Sequence, residues 1–153
     1  MDEQLKSRFE KLLAHHAGVI RERDDALIRE RTERDQFEAS FRSVVDRVIL
    51  PAAAQVKELM APKNWICRAT KADNALSAKI EICQGNMKVT TGERPHVKIS
   101  AAAKGGDVQI YLASQSSGGS KQSVTKVEEI NERLVQGYLL ELLEKLIAEG
   151  PHR

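Results

Sequence analysis

RERDDALIRERTERD, residues 21–35, carries eleven charged side chains in fifteen positions, with only Ala26, Leu27 and Ile28 apolar among them. Residues 2 to about 60 around it contain one glycine and one proline, and their charged and apolar residues recur at helical spacing without a turn cluster. The segment is therefore helix, and a helix of this composition can bury little. Which residues hold its two ends decides the architecture.

In a heptad frame, Leu13, Ile20, Leu27, Arg34, Phe41 and Val48 fall on one seam position, and Phe9, His16, Arg23, Glu30, Phe37 and Val44 on the other. Eight of these twelve are apolar, and the four exceptions, His16, Arg23, Glu30 and Arg34, crowd the middle. Asp25 with Arg29, Glu30 with Arg34 and Glu38 with Arg42 place the acid four residues before the base, a spacing that supports a solvated helix by about 0.2–0.5 kcal/mol per pair. One helix over residues 3–49 measures about 70 Å at 1.5 Å per residue, whereas a compact chain of this length is about 38 Å across. The expectation is a solvated strut in a homodimeric coiled coil, with Phe9, Leu13, Ile20, Leu27, Phe37, Phe41, Val44 and Val48 as the dimerisation residues. The alternative is a helix that breaks near Gly18 and packs within a monomer. Pro51 should end or kink the helix, since proline lacks the amide donor, and AAAQVKELM follows as a short helix that Pro62 closes.

From residue 63 to about 127 a period of two replaces the helical period. Trp65, Cys67 and Ala69 alternate with Ile66, Arg68 and Thr70. After the turn-like KADN, Leu76, Ala78, Ile80 and Ile82 alternate with Ser77, Lys79, Glu81 and Cys83. Val97, Ile99 and Ala101 form a third strand; Gly105-Gly106 reverses the chain, and Val108, Ile110 and Leu112 form a fourth. This predicts a four-stranded antiparallel meander with one apolar face, which helix must cover. SQSSGGSKQS, residues 114–123, lacks the composition to pack a core and is expected to be a flexible loop or a poorly paired edge. GNMKVTTGERP, residues 85–95, is either an edge strand carrying Met87 and Val89 or a binding loop.

Helical periodicity returns after Asn131, a suitable N-cap, and stops at Gly150-Pro151. The apolar residues of 132–149 cover an arc of about 240° at 100° per residue, wide enough to touch both the sheet and either the N-terminal helix or a second subunit. The fold class is thus α+β: residues 1–61 a charged coiled-coil-like helix kinked at Pro51, and residues 62–153 a meander plus C-terminal helix.

At 153 residues and 41% hydrophobic content the chain can bury a core without disulfides or metals, and 4% aromatic content makes that core aliphatic. A net charge of +2 gives no global attraction to nucleic acid or anionic membrane. MDEQLKSRFEK lacks the pattern of a signal peptide, no apolar run is long enough for a membrane span, and Cys67 and Cys83 lack CxxC spacing. The expected location is the cytoplasm.

No motif demands catalysis or a cofactor. His15 and His16 point about 100° apart on a helix, the wrong geometry for a shared metal, and His152 lies in a terminal tail. Cys83 and His96 both fall on the polar face of adjacent strands, where a thiol and imidazole pair is conceivable without an orienting acid. Gly118, Gly119 and Lys121 suggest an anion nest that fails the phosphate-loop spacing. The clearest residual signal is a local excess of +5 between Ala61 and Glu128. Arg68, Lys79 and Lys98, with Tyr111 available to stack, alternate onto one face as a candidate anion or nucleic-acid surface. By elimination, the expected function is a non-enzymatic scaffold or adaptor, dimeric and bound to another protein. The alternative is a nucleic-acid binder using the basic face.

Overall fold

The computed structural model describes residues 2–85, 94–115 and 120–150. It divides into two compact units, Met1–Gln36 and Phe37–Arg153. The first unit is the greater part of helix α1 (Glu3–Val44). Asp2 caps it, its carboxylate accepting from the Gln4 amide at 3.1 Å. The helix runs through Gly18 without a break, so the expected alternative of a fold-back there is not realised.

In the second unit the end of α1 continues into a π-helical turn, Val45–Ile49, and then α2, Leu50–Met60. Pro51 does not end the helix, which passes into α2 through the π-turn just before it. Its ring would collide with the carbonyl of Arg47 in a regular α-helix, and it offers that carbonyl no amide proton. The turn widens instead, the Leu50 amide reaching back five residues to the Val45 carbonyl. Phe41, Val45, Ile49, Ala52, Ala53 and Met60 therefore all turn inward and are buried.

A five-stranded antiparallel sheet follows, with strand order β1-β2-β3-β4-β5: β1 Trp65–Lys71, β2 Ser77–Gln84, β3 His96–Ala101, β4 Asp107–Ala113 and β5 Lys121–Lys126. The alternation expected for the first four strands is observed, with Cys67, Ala78, Ile80, Ile82, Val97, Ile99, Val108, Ile110 and Leu112 buried on one face. The β1–β2 turn is held by Asn74, whose side chain accepts from the Leu76 amide at 2.9 Å. Gly105, at φ 76°, supplies the left-handed residue of the β3–β4 turn.

The fifth strand corrects the expectation of four. Residues 121–123 belong to β5, so of the loop or edge expected for 114–123 they form the edge, paired to β4. Of KQSVTK only Val124 is apolar, and it is exposed on the face opposite the core. Backbone pairing to β4 over six positions, Asp107 with Lys126 through Leu112 with Lys121, makes the strand. Edge strands of this polar kind carry no hydrophobic period to read. The segment around Met87 and Val89 lies outside the described residues.

Helix α3, Glu132–Glu149, has the predicted bounds and cap: the Asn131 side chain accepts from the Leu134 amide at 2.8 Å. Val135, Leu139, Leu142 and Leu146 are buried against α2 and strands β2 to β4. Gln55 of α2 joins the two helices by accepting from Gln136 at 2.8 Å. The wide apolar arc of α3 is thus used on the sheet and on α2, while Leu140 and Ile147 stay exposed.

Phe41 is fully buried in this core, so Phe41→Ala should destabilise the protein by about 3–5 kcal/mol. Removal of the α3 cap by Asn131→Ala should cost about 1 kcal/mol. Urea unfolding followed by Trp65 fluorescence measures both.

Candidate functional site

The face of the sheet opposite the core is polar, and strand register determines which of its side chains meet. Lys79 of β2 stands directly opposite Lys98 of β3, which stands opposite Tyr111 of β4. Thr70 and Gln122 extend the same row to β1 and β5. Arg68 lies one row along, opposite Glu81, which is itself opposite His96. The structure thus brings the four predicted residues onto one face: Lys79, Lys98 and Tyr111 in a continuous row, Arg68 in the neighbouring one. Directly opposed lysines on central strands are unfavourable for the sheet, and Glu81 beside them offsets part of that repulsion.

Alternation alone groups His96 with Cys83, but register places other residues directly opposite each. His96 pairs with Glu81 and Ala113, whereas Cys83 pairs with Ile66. Its ring lies 6.1 Å from that of Tyr111. Its Nδ1 is 2.7 Å from the Arg94 carbonyl, which only accepts, so Nδ1 carries the proton. Both His96 and Cys83 are buried rather than solvated, as the alternation alone suggested. Two rows from Tyr111 on the same face, Lys126 bonds Asp107, whose hydrogen bond and charge hold the ammonium above its ordinary range.

The expected dimerisation residues separate into two groups. Phe41 is fully buried, and Phe37, Val44 and Val48 pack against the same core. Phe37 and Phe41 rings lie 6.5 Å apart. These four belong to the core of their own chain and are not a free seam: the apolar face of the sheet needs them. Phe9, Leu13, Ile20 and Leu27 remain, and with Leu5 and Leu12 they are 44–65% exposed. At 100° per residue these six lie within one arc of about 100° on α1. His16, Arg23 and Glu30 share that side of the helix.

A third feature is a shallow groove of about 450 Å³ lined chiefly by α3 and the start of β5, including Leu134, Gly137, Tyr138 and Lys121. Sequence reading passed over it. The available signal was a glycine inside an otherwise strongly helical stretch. Among the described residues no group of three or more His, Cys, Asp or Glu could hold a metal, and no helix is long and apolar enough to cross a membrane. Gly118, Gly119 and His152 lie outside the described residues. In comparisons with known proteins, the chain matches no family model, no curated protein and no solved structure.

The thiol of Cys67 points into the core and donates to the Ala53 carbonyl at 3.7 Å. Burial pushes it up from about 9 to about 11, against a smaller lowering by the Lys57 charge. The unfolded chain thus releases this proton first, so the thiol costs the fold nothing below its unfolded value and an increasing amount as pH rises towards 11. Cys67→Ala should unfold with a smaller loss of stability between about pH 9 and 11 than the wild type, measured by urea titration across that window.

Proposed function

We propose that this chain is a non-enzymatic interaction module that works as a homodimer, joined through its N-terminal helix, with another protein as its partner. The supporting observation is the apolar stripe of Leu5, Phe9, Leu12, Leu13, Ile20 and Leu27, each exposed on one side of α1. Single exposed apolar residues are ordinary, but six aligned over more than five helical turns mark a surface that associates. Charge favours a second copy as the occupant. Residues 2–36 carry nine acidic and eight basic side chains. Interspersed signs that nearly cancel neither repel an identical helix nor select a strongly charged partner. Cys67 and Cys83, both free and buried, suit the reducing cytoplasm, where we place the protein.

Light scattering after size exclusion should return about twice 17.0 kDa, constant over a tenfold dilution. Leu13→Asp with Ile20→Asp should return 17.0 kDa and leave the unfolding of the sheet unit unchanged. A wild-type mass of one chain would overturn the reading.

A second reading rests on a different observation, the row of Lys79, Lys98 and Tyr111 across three adjacent strands. A basic row beside an exposed aromatic ring is the arrangement by which a sheet face takes single-stranded nucleic acid, with phosphates on lysines and a base on the ring. Binding to a labelled oligothymidylate should fall steeply with salt and weaken about tenfold in a Lys79→Ala, Lys98→Ala variant at low salt. Absent or salt-insensitive binding would remove this reading.

A further inference from the structure

The stripe on α1 is broader than a simple seam, and its two flanks differ. Phe9, Leu13, His16, Ile20, Arg23 and Leu27 follow one another at spacings of four and three, the period by which one helix meets another. Beside them runs a third apolar line, Leu5, Leu12, Val19 and Ala26, each seven residues from the next. Leu5 and Leu12 are exposed and Val19 is partly so. The other flank, Glu3, Glu10, Ala17, Asp24 and Arg31, is charged everywhere except at Ala17.

This asymmetry decides how a second helix can lie. Two helices running the same way present opposite flanks to each other, so Leu5, Leu12 and Val19 would meet Glu10, Ala17 and Asp24 of the other copy. Every seam residue would also face its own copy, setting Lys6, Arg23, Glu30 and Arg34 against like charges. Helices running opposite ways present the same flank, apolar against apolar. The surface therefore complements itself when reversed, and that self-match selects a second copy as its occupant.

We propose that α1 pairs with α1 of a second copy in antiparallel orientation, centred between residues 14 and 15. The proposal rests on the dimeric reading above and gives it a direction. In this register Phe9 lies against Ile20 of the second copy, Leu13 against His16 and Leu12 against Val19, each contact made twice by symmetry. The neighbouring registers are poorer: centring on residue 11 sets Glu10 against its own copy, and centring on residue 18 sets Leu13 against Arg23. At each end of the overlap Lys6 meets Arg23, with Glu3 and Asp24 of opposite sign beside them. Glu30 and Arg34 lie beyond the overlap and face no like charge.

The test uses the full chain with a spin label introduced in turn through Gln4→Cys, Gly18→Cys and Thr32→Cys, all on the side of α1 away from the stripe. The native Cys67 and Cys83 are buried, and a side chain at position 18 meets nothing within 4 Å. At 1.5 Å per residue the antiparallel pair should separate like labels along the axis by about 32, 10 and 52 Å respectively. A parallel pair gives one short separation at all three positions. Val19→Lys should weaken the antiparallel dimer about tenfold, because it buries a charge beside Leu12; in a parallel pair it would meet Asp24 and weaken nothing. A mass of two chains with equal label separations, or a Val19→Lys dimer as strong as the wild type, would overturn the antiparallel arrangement alone. A wild-type mass of one chain would overturn the dimeric reading together with it.

Discussion

The sheet has one apolar face, and everything in the second unit follows from covering it. Nine buried side chains on β1 to β4 cannot face water, and antiparallel meanders of this kind are stable only when helix or a second sheet closes that side. Helices α2 and α3 lie over it, but eleven residues of α2 are too few to complete the lid. The last two turns of α1 supply the rest through Phe37, Phe41 and Val44, followed by Val45, Val48 and Ile49 of the π-turn. The helix that looks in sequence like an independent coil is thus divided in its duties. Its final residues are core.

That division places a demand on Pro51, which falls where the covering helix has to pass from one side-chain register to the next. A plain α-helix would break there. The π-turn absorbs one extra residue, relieves the clash at Arg47 and keeps Ile49, Ala52 and Ala53 facing the sheet. The same constraint explains the aliphatic and alanine-rich character of this stretch. Ala52 and Ala53 are small because β1 packs close beneath them, close enough for the Cys67 thiol to reach the Ala53 carbonyl.

Much of this was legible from residue order. Alternation located four strands because each has a wet and a dry face, and Asn131 with Gly150 marked α3 because capping chemistry is local. β5 was legible only as a possible edge, not as a fifth strand, for the converse reason: both of its faces are largely polar, and its identity lies in backbone bonds to β4 that no side chain announces. Phe41, Val44 and Val48 were assigned to an intermolecular seam because heptad spacing and burial against one's own sheet share the same period. Spacing tells which side of a helix is apolar but not what it meets. On the open face the alternation found Arg68, Lys79, Lys98 and Tyr111, yet could not say which were opposite, because cross-strand register depends on turn lengths. It is register that sets Lys79 against Lys98 and moves His96 beside Tyr111.

The charged stretch 21–35 now has a narrower explanation than a weak coiled coil. Of the aligned exposed apolar residues on α1, five lie at or before Ile20 and only Leu27 lies beyond. Arg23 and Glu30 on that side would each face its own copy in a parallel, in-register pair, two like-charge contacts with little burial around them. The association proposed for this surface would therefore concentrate on residues 5–20, where Leu5, Phe9, Leu12, Leu13 and Ile20 lie together and exposed. Between that patch and the buried Phe41, residues 21–35 need only stay helical in water. Eleven charges of interspersed sign do that while leaving only Leu27 and Ile28 as large apolar side chains on which misaligned copies could settle.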